Sequence, residues 1–203
     1  MLVTDAELQE LIGDCPTLYH MAEAGSWPLI DKYGLLSTTA LLDQYGISGE
    51  ARDAVEAARR PASVPLEKQE IGRAVVRDQS PMDDQGLVRC LQDGLQPIDW
   101  YRLLNKKVFF WLTRSRLLKL LNAGNYRNEE HDVLQLDTAS LVAAYKEKIW
   151  LCSINSGSTK PFPHPRGNNT FNRIQNYPYS IWKKSAREAS ASLNLQPTMR
   201  SLM

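Results

Sequence analysis

Cysteine is scarce: 203 residues hold only Cys15, Cys90 and Cys152, far apart and without metal-site spacing. An odd, scattered set excludes a disulfide framework and reads as reduced, packed thiols of a cytoplasmic protein. Histidine is as rare, at three residues with no HExxH, so no metal site is expected. Long apolar runs are missing too. The longest, around Val108 to Leu112, is five residues, against roughly 18 for a bilayer span, so no membrane partner is expected. The first residues carry early acids and no basic n-region, so no secretory signal is expected either. There is no Walker loop, GxGxxG or GxSxG. What is present, 43% hydrophobic and 23% charged residues, is a globular composition of a size suited to one core. One domain over residues 1–186 is expected, with a flexible tail over 187–203.

The net charge of +1 hides an asymmetry. Residues 1–70 hold 12 acids and 5 bases, whereas residues 148–203 hold 1 acid and 8 bases. From Lys148 to Arg187 no Asp or Glu occurs, yet Lys160, Arg166, Arg173, Lys183 and Lys184 do. Such a stretch favours an anionic partner, phosphate above all, in a nucleotide or a nucleic acid. The alternative is internal pairing with the acidic N-terminal half.

Spacing and punctuation give the elements. Thr4 with Glu7 is a capping box opening a helix over 4–12. Leu18 to His20 reads as a strand and Glu23 to Tyr33 as a helix closed by Gly34. Helices follow over Thr38 to Tyr45 and Ser48 to Arg60, and then Pro61 to Glu70 reads as a loop. Ile71 to Arg77, Lys107 to Leu112, Asp132 to Leu136, Lys148 to Ile154 and Phe171 to Ile174 read as strands. Asp83 to Gln92, Pro97 to Leu104, Arg114 to Leu121 and Thr138 to Tyr145 read as helices. Short strands irregularly interspersed with helices indicate an α+β fold.

The long segment from Asn155 to Thr170 mixes small residues, whose backbone N–H groups can converge on an oxyanion, with Lys160, His164 and Arg166. Prolines 161, 163 and 165 stiffen it, which suits a functional loop better than a linker. Arg77 ends an apolar strand, where it either grips phosphate or pairs with Asp78.

Up to about Trp182, the succession YH…GLLS, VRDQ.PM, VFFW, INSG.TKPFPHPRG resembles a family of uncharacterised bacterial domains. The opening YHMAEAGSWPLIDKYGLLS more distantly resembles the ADP-ribosyltransferase superfamily, including DarT-type DNA ADP-ribosyltransferases and RNA 2′-phosphotransferases. That resemblance implies a split β core with surrounding helices, NAD as cofactor, and a nucleic acid or nucleotide as acceptor. It places His20 on the NAD ribose, with Tyr19 and Ser37 beside it. Phe110 or Trp111 would stack on nicotinamide, and Asn155 and Ser156 would complete the cofactor site. The superfamily's late-strand Glu has no counterpart here, so catalytic work would fall to His20, Arg77, His164 and Arg166. Phosphates would meet Lys160, Arg166, Thr170 and Arg173. A toxin-like role would add a cognate antitoxin to the partners. Two other readings stand beside this one: a non-catalytic nucleic-acid-binding module, and a DNA base N-glycosylase.

Overall fold

A computed structural model describes residues 4–177, 179–183 and 201–202. The fold is α+β. In chain order the elements are α1 (Asp5–Asp14), β1 (Thr17–Glu23), α2 (Trp27–Tyr33), α3 (Thr38–Tyr45), α4 (Gly49–Glu56), β2 (Val64–Lys68) and β3 (Gly72–Val76). There follow α5 (Asp84–Cys90), α6 (Pro97–Asn105), α7 (Arg114–Leu121), β4 (His131–Asp137), α8 (Thr138–Tyr145), β5 (Trp150–Cys152), β6 (Asn172–Arg173) and β7 (Ser201–Leu202). The strands form small antiparallel sheets: β1 with β4, β2 with β3, and β5 between β6 and β7.

Caps set the helix starts. Glu7 N–H donates to Thr4 Oγ1 at 3.2 Å while Thr4 N–H donates to the Glu7 carboxylate at 3.0 Å, closing the expected capping box. Ser37, Asp83, Thr113 and Asp137 cap α3, α5, α7 and α8 with a side-chain oxygen that accepts from a first-turn backbone N–H. Three apolar clusters hold the elements together. One joins α1, Leu18, Phe110, Val142 and Leu151; the second joins α5, α6, Cys152 and Phe171; the third joins Leu42, Tyr45, Val55, Leu66 and Val76. Strand alternation lets β5 serve two of them, with Leu151 facing the first and Cys152 the second. The three thiols are buried, and none is in a disulfide among the described residues.

Several expectations are corrected. The chain expected to loop from Pro61 to Glu70 instead forms β2, paired from Val64↔Val76 to Lys68↔Gly72. A two-stranded hairpin has two edges, so it tolerates Pro65 where a central strand would not. Lys107 to Leu112 is not a continuous strand. Only Phe110 and Trp111 have bridge geometry, Trp111 through reciprocal bonds with Tyr19 of 2.9 and 2.7 Å. Lys107 N–H is still turned back onto Leu104 O, and Thr113 already caps the next helix. The second helix starts at Trp27 because β1 runs on through Glu23 and Gly25, at φ 79°, makes the turn. The helix expected to reach Arg60 ends at Glu56. The expected tail begins outside the described residues.

The segment 155–170 is bound to the body rather than projecting from it. Thr159 N–H donates to Pro81 O, its hydroxyl bonds Asp83, and Arg166 exchanges backbone bonds with Cys90 and Gln92. Gly86 of α5 lies directly beneath. A Cβ there would sit 2.7 Å from Thr159 Cβ, a contact real side chains do not make. Gly→Ala in a helix ordinarily gains up to about 1 kcal/mol, but overpacking costs typically about 1–3 kcal/mol. Gly86→Ala is therefore expected to lower unfolding free energy by about 1–2 kcal/mol in urea titration; a neutral or stabilised variant would show that the loop is not seated on α5.

Candidate functional site

A cavity of about 370 Å³ opens between the second half of β1, the α2–α3 turn, the end of β3, the Lys107–Trp111 segment and residues 155–157. It gathers His20, Ser37, Arg77, Phe110, Trp111, Asn155 and Ser156, all expected from the sequence, onto one lining. Most of the rest is apolar, with Leu29, Ile30, Leu41 and Ala74 among it.

His20 is fixed by one bond. Its Nδ1 lies 2.8 Å from Phe109 O, and since a carbonyl only accepts, Nδ1 carries the proton. Burial, and then the nearby Arg77 charge, hold the imidazole below the ordinary histidine pKa even though the Phe109 bond works the other way. The neutral ring thus keeps an acceptor at Nε2, which has no partner among the described residues. The ring packs at 5.8 Å and 58° against Phe110, itself 7% exposed and shared with the core. Trp111, half-buried, keeps the more accessible ring. Ser37 Oγ accepts from Ala40 N–H at 3.2 Å, so its hydroxyl proton is still available to donate.

Arg77 was expected to be oriented by Asp78. Glu23 does this instead. Glu23 and His131 are directly opposite across β1 and β4, so their side chains share a face. Arg77 Nη1 donates to Glu23 at 3.0 Å and to His131 Nδ1 at 3.3 Å, and its guanidinium lies 5.1 Å over the Tyr126 ring. Asp78 accepts from Tyr126 at 2.9 Å and from Ser80 N–H at 3.0 Å. Burial, then Asp78, pushes the Tyr126 phenol up to about 12, so it stays protonated as a donor. Glu23 and Glu129 balance the Arg77 charge, while its Nε and Nη2 are buried without a hydrogen-bond partner among the described residues.

The remaining expected residues lie elsewhere. Tyr19 leaves β1 on the face opposite His20 and meets Trp111 through its backbone. Lys160 and His164 are exposed on the outside of the loop. Thr170 Oγ1 accepts from Gly167 N–H at 2.8 Å. Arg173 stacks at 4.2 Å on Trp150. Arg166 is corrected outright as a phosphate ligand. It is 1% exposed, and Nε, Nη1 and Nη2 donate to the carbonyls of His164, Ser156 and Ser158 at 3.0, 2.9 and 2.8 Å. Its work is to shape residues 155–157, which enter the cavity. Part of the basic excess is likewise internal, since Lys183 pairs with Glu10 and Asp14 of α1.

Sequence reasoning missed Glu23, Tyr126 and Lys107 on the lining. For Glu23 the signal was available: continuing the strand three residues past His20 would have placed it there. Among the described residues no His, Cys, Asp and Glu group suits a metal ion, and no helix is long and apolar enough to cross a membrane.

The chain belongs to a family of unknown function (DUF7002), matched over residues 16–195. No curated protein and no solved structure matches it.

Two outcomes follow from this geometry. Protonating His20 costs more in the folded chain than in the unfolded one, so stability falls as pH drops below about 6.5. His20→Asn cannot titrate, and between about pH 7 and 5 its unfolding free energy should fall less than wild type; parallel curves would contradict a depressed His20. Arg166→Gln strips donors from buried carbonyls and should cost about 3 kcal/mol or more in chemical denaturation, whereas a loss below about 1 kcal/mol would contradict the internal role.

Proposed function

We propose that this chain is an ADP-ribosyltransferase-like enzyme that binds NAD in the cavity and passes ADP-ribose to a nucleic acid or nucleotide. His20 carries the reading. A neutral imidazole with an unpartnered acceptor, on the wall of a mostly apolar cavity of about 370 Å³, suits a ribose hydroxyl. Ser37 offers a further donor, and Trp111 or Phe110 a face for the nicotinamide ring.

In such a reaction the ribose C1′–N bond breaks and nicotinamide leaves with the bonding pair. The acceptor's lone pair then captures the oxocarbenium-like carbon and the acceptor gives up a proton. Glu23 supports this step: it supplies the cavity with a carboxylate, able to face positive charge or take that proton. It stands on β1 rather than on a late strand.

A binding module without catalysis is the second reading, favoured by the exposed Lys148 and Lys160 in the acid-free stretch. Incubation with labelled NAD and with DNA or RNA separates the readings: label transfer, salt-sensitive binding alone, or base release by a glycosylase. NAD should raise the melting temperature of wild type. His20→Ala should lower nicotinamide release roughly 10²-fold or more while melting within a few degrees of wild type. Absence of both NAD-induced stabilisation and nicotinamide release in folded wild type would overturn the enzyme reading.

A further inference from the structure

Lys107, Arg173 and Trp150 form a cluster that the reading above leaves unused. Trp150 and Arg173 are directly opposite in the β5–β6 pair, which brings the guanidinium to 4.2 Å from the indole ring. Lys107 arrives from the end of α6, where its N–H is held by Leu104 O, and sets Nζ 4.4 Å from the same ring and 5.2 Å from Phe171. Phe171 is in turn stacked on Trp100 at 5.5 Å and 17°, so the platform is backed by core. Lys107 also lines the cavity.

Two cations thus share one aromatic ring, and neither has a carboxylate partner among the described residues. Arg173 spends Nη1 on the backbone carbonyl of Glu147, while its Nε and Nη2 make no hydrogen bond there. The Glu147 carboxylate is engaged by Gln175. Lys107 Nζ has no hydrogen-bonded partner at all among those residues. Burial first, then the Arg173 charge, lowers the Lys107 pKa. A ring face offsets part of that repulsion, but an anion would offset far more. Arg77 pairs with Glu23, Arg52 with Asp43 and Glu56, and Lys183 with Glu10 and Asp14, while the buried Arg60 and Arg166 spend their donors on backbone carbonyls.

We infer that Lys107 and Arg173 form an anion subsite beside the cavity that takes the phosphate of a phosphorylated ligand. This deepens the reading of the cavity as a nucleotide site, because it moves the phosphate contact from Arg166, whose donors are spent on carbonyls, to a pair with free donors. Inorganic pyrophosphate tests it without any assumption about NAD. Wild type should bind pyrophosphate in calorimetry, and Lys107→Met and Arg173→Gln should each weaken that binding about tenfold or more. Met keeps the apolar stem against Trp150, so the variant is expected to fold. In an NMR titration of the lysine side chains, Lys107 should titrate below the other lysines and move up when pyrophosphate is added; a merely structural cation would not respond. Pyrophosphate binding that both variants retain at wild-type strength, or none by folded wild type, overturns the subsite. Pyrophosphate binding lost in both variants, with no NAD turnover in wild type, keeps the subsite and removes only the enzyme reading. NAD turnover whose KM is unchanged by both substitutions does the reverse.

Discussion

The hydrogen bond from His20 Nδ1 to the carbonyl of Phe109 is what the rest of the site depends on. It joins residues 89 positions apart and does two jobs. It tethers β1 to an apolar segment that β1 also meets through the Tyr19–Trp111 backbone pair. It also fixes the imidazole tautomer, and therefore which nitrogen is left to a ligand. Phe110 and Trp111 follow from the same tether, since both rings belong to the segment it holds.

Around that bond the chain is braced from the far side by an arginine. Arg166 gathers three carbonyls of its own loop and stacks 5.6 Å from the Trp100 ring, whose indole N–H shares the Ser156 carbonyl at 3.3 Å. Burial holds this guanidinium below its ordinary pKa. The price of burying that charge is met by carbonyl dipoles rather than by a carboxylate, which is why no acid is needed nearby. Glu23 and His131 play the corresponding part for Arg77. His20 and Arg77 in the cavity wall are thus each held by named partners, Phe109 for the first and Glu23 with His131 for the second.

How much of this was legible depends on what the sequence encodes locally. Helices α3, α7 and α8 match their expected bounds because each carries its own cap, Ser37, Thr113 or Asp137. Strand β2 was illegible because Pro65 and its charged neighbours carry no strand signal; pairing with β3 creates it. Arg166 misled for a different reason. An arginine in an acid-free stretch looks like a phosphate ligand, yet carbonyls accept its protons equally well, and no linear pattern shows them converging. Glu23 was hidden by a misplaced boundary, being assigned to a helix that starts only at Trp27. Seven residues of the cavity lining were nonetheless in view, since His20, the GLLS turn, Arg77, the aromatic run and the start of the NSG loop all end at apolar elements. The outward face of that loop, with Lys160 and His164, was not part of the same site.

The central claim is that His20 presents a neutral acceptor nitrogen to a ligand in the cavity. Long-range nitrogen NMR of the labelled imidazole tests it most directly, because protonated and unprotonated ring nitrogens are resolved. At neutral pH the account predicts a protonated Nδ1 and an unprotonated Nε2 for His20, with the Nε2 signal moving when NAD is added. A doubly protonated ring, a proton on Nε2 instead, or an Nε2 signal indifferent to saturating NAD would contradict it.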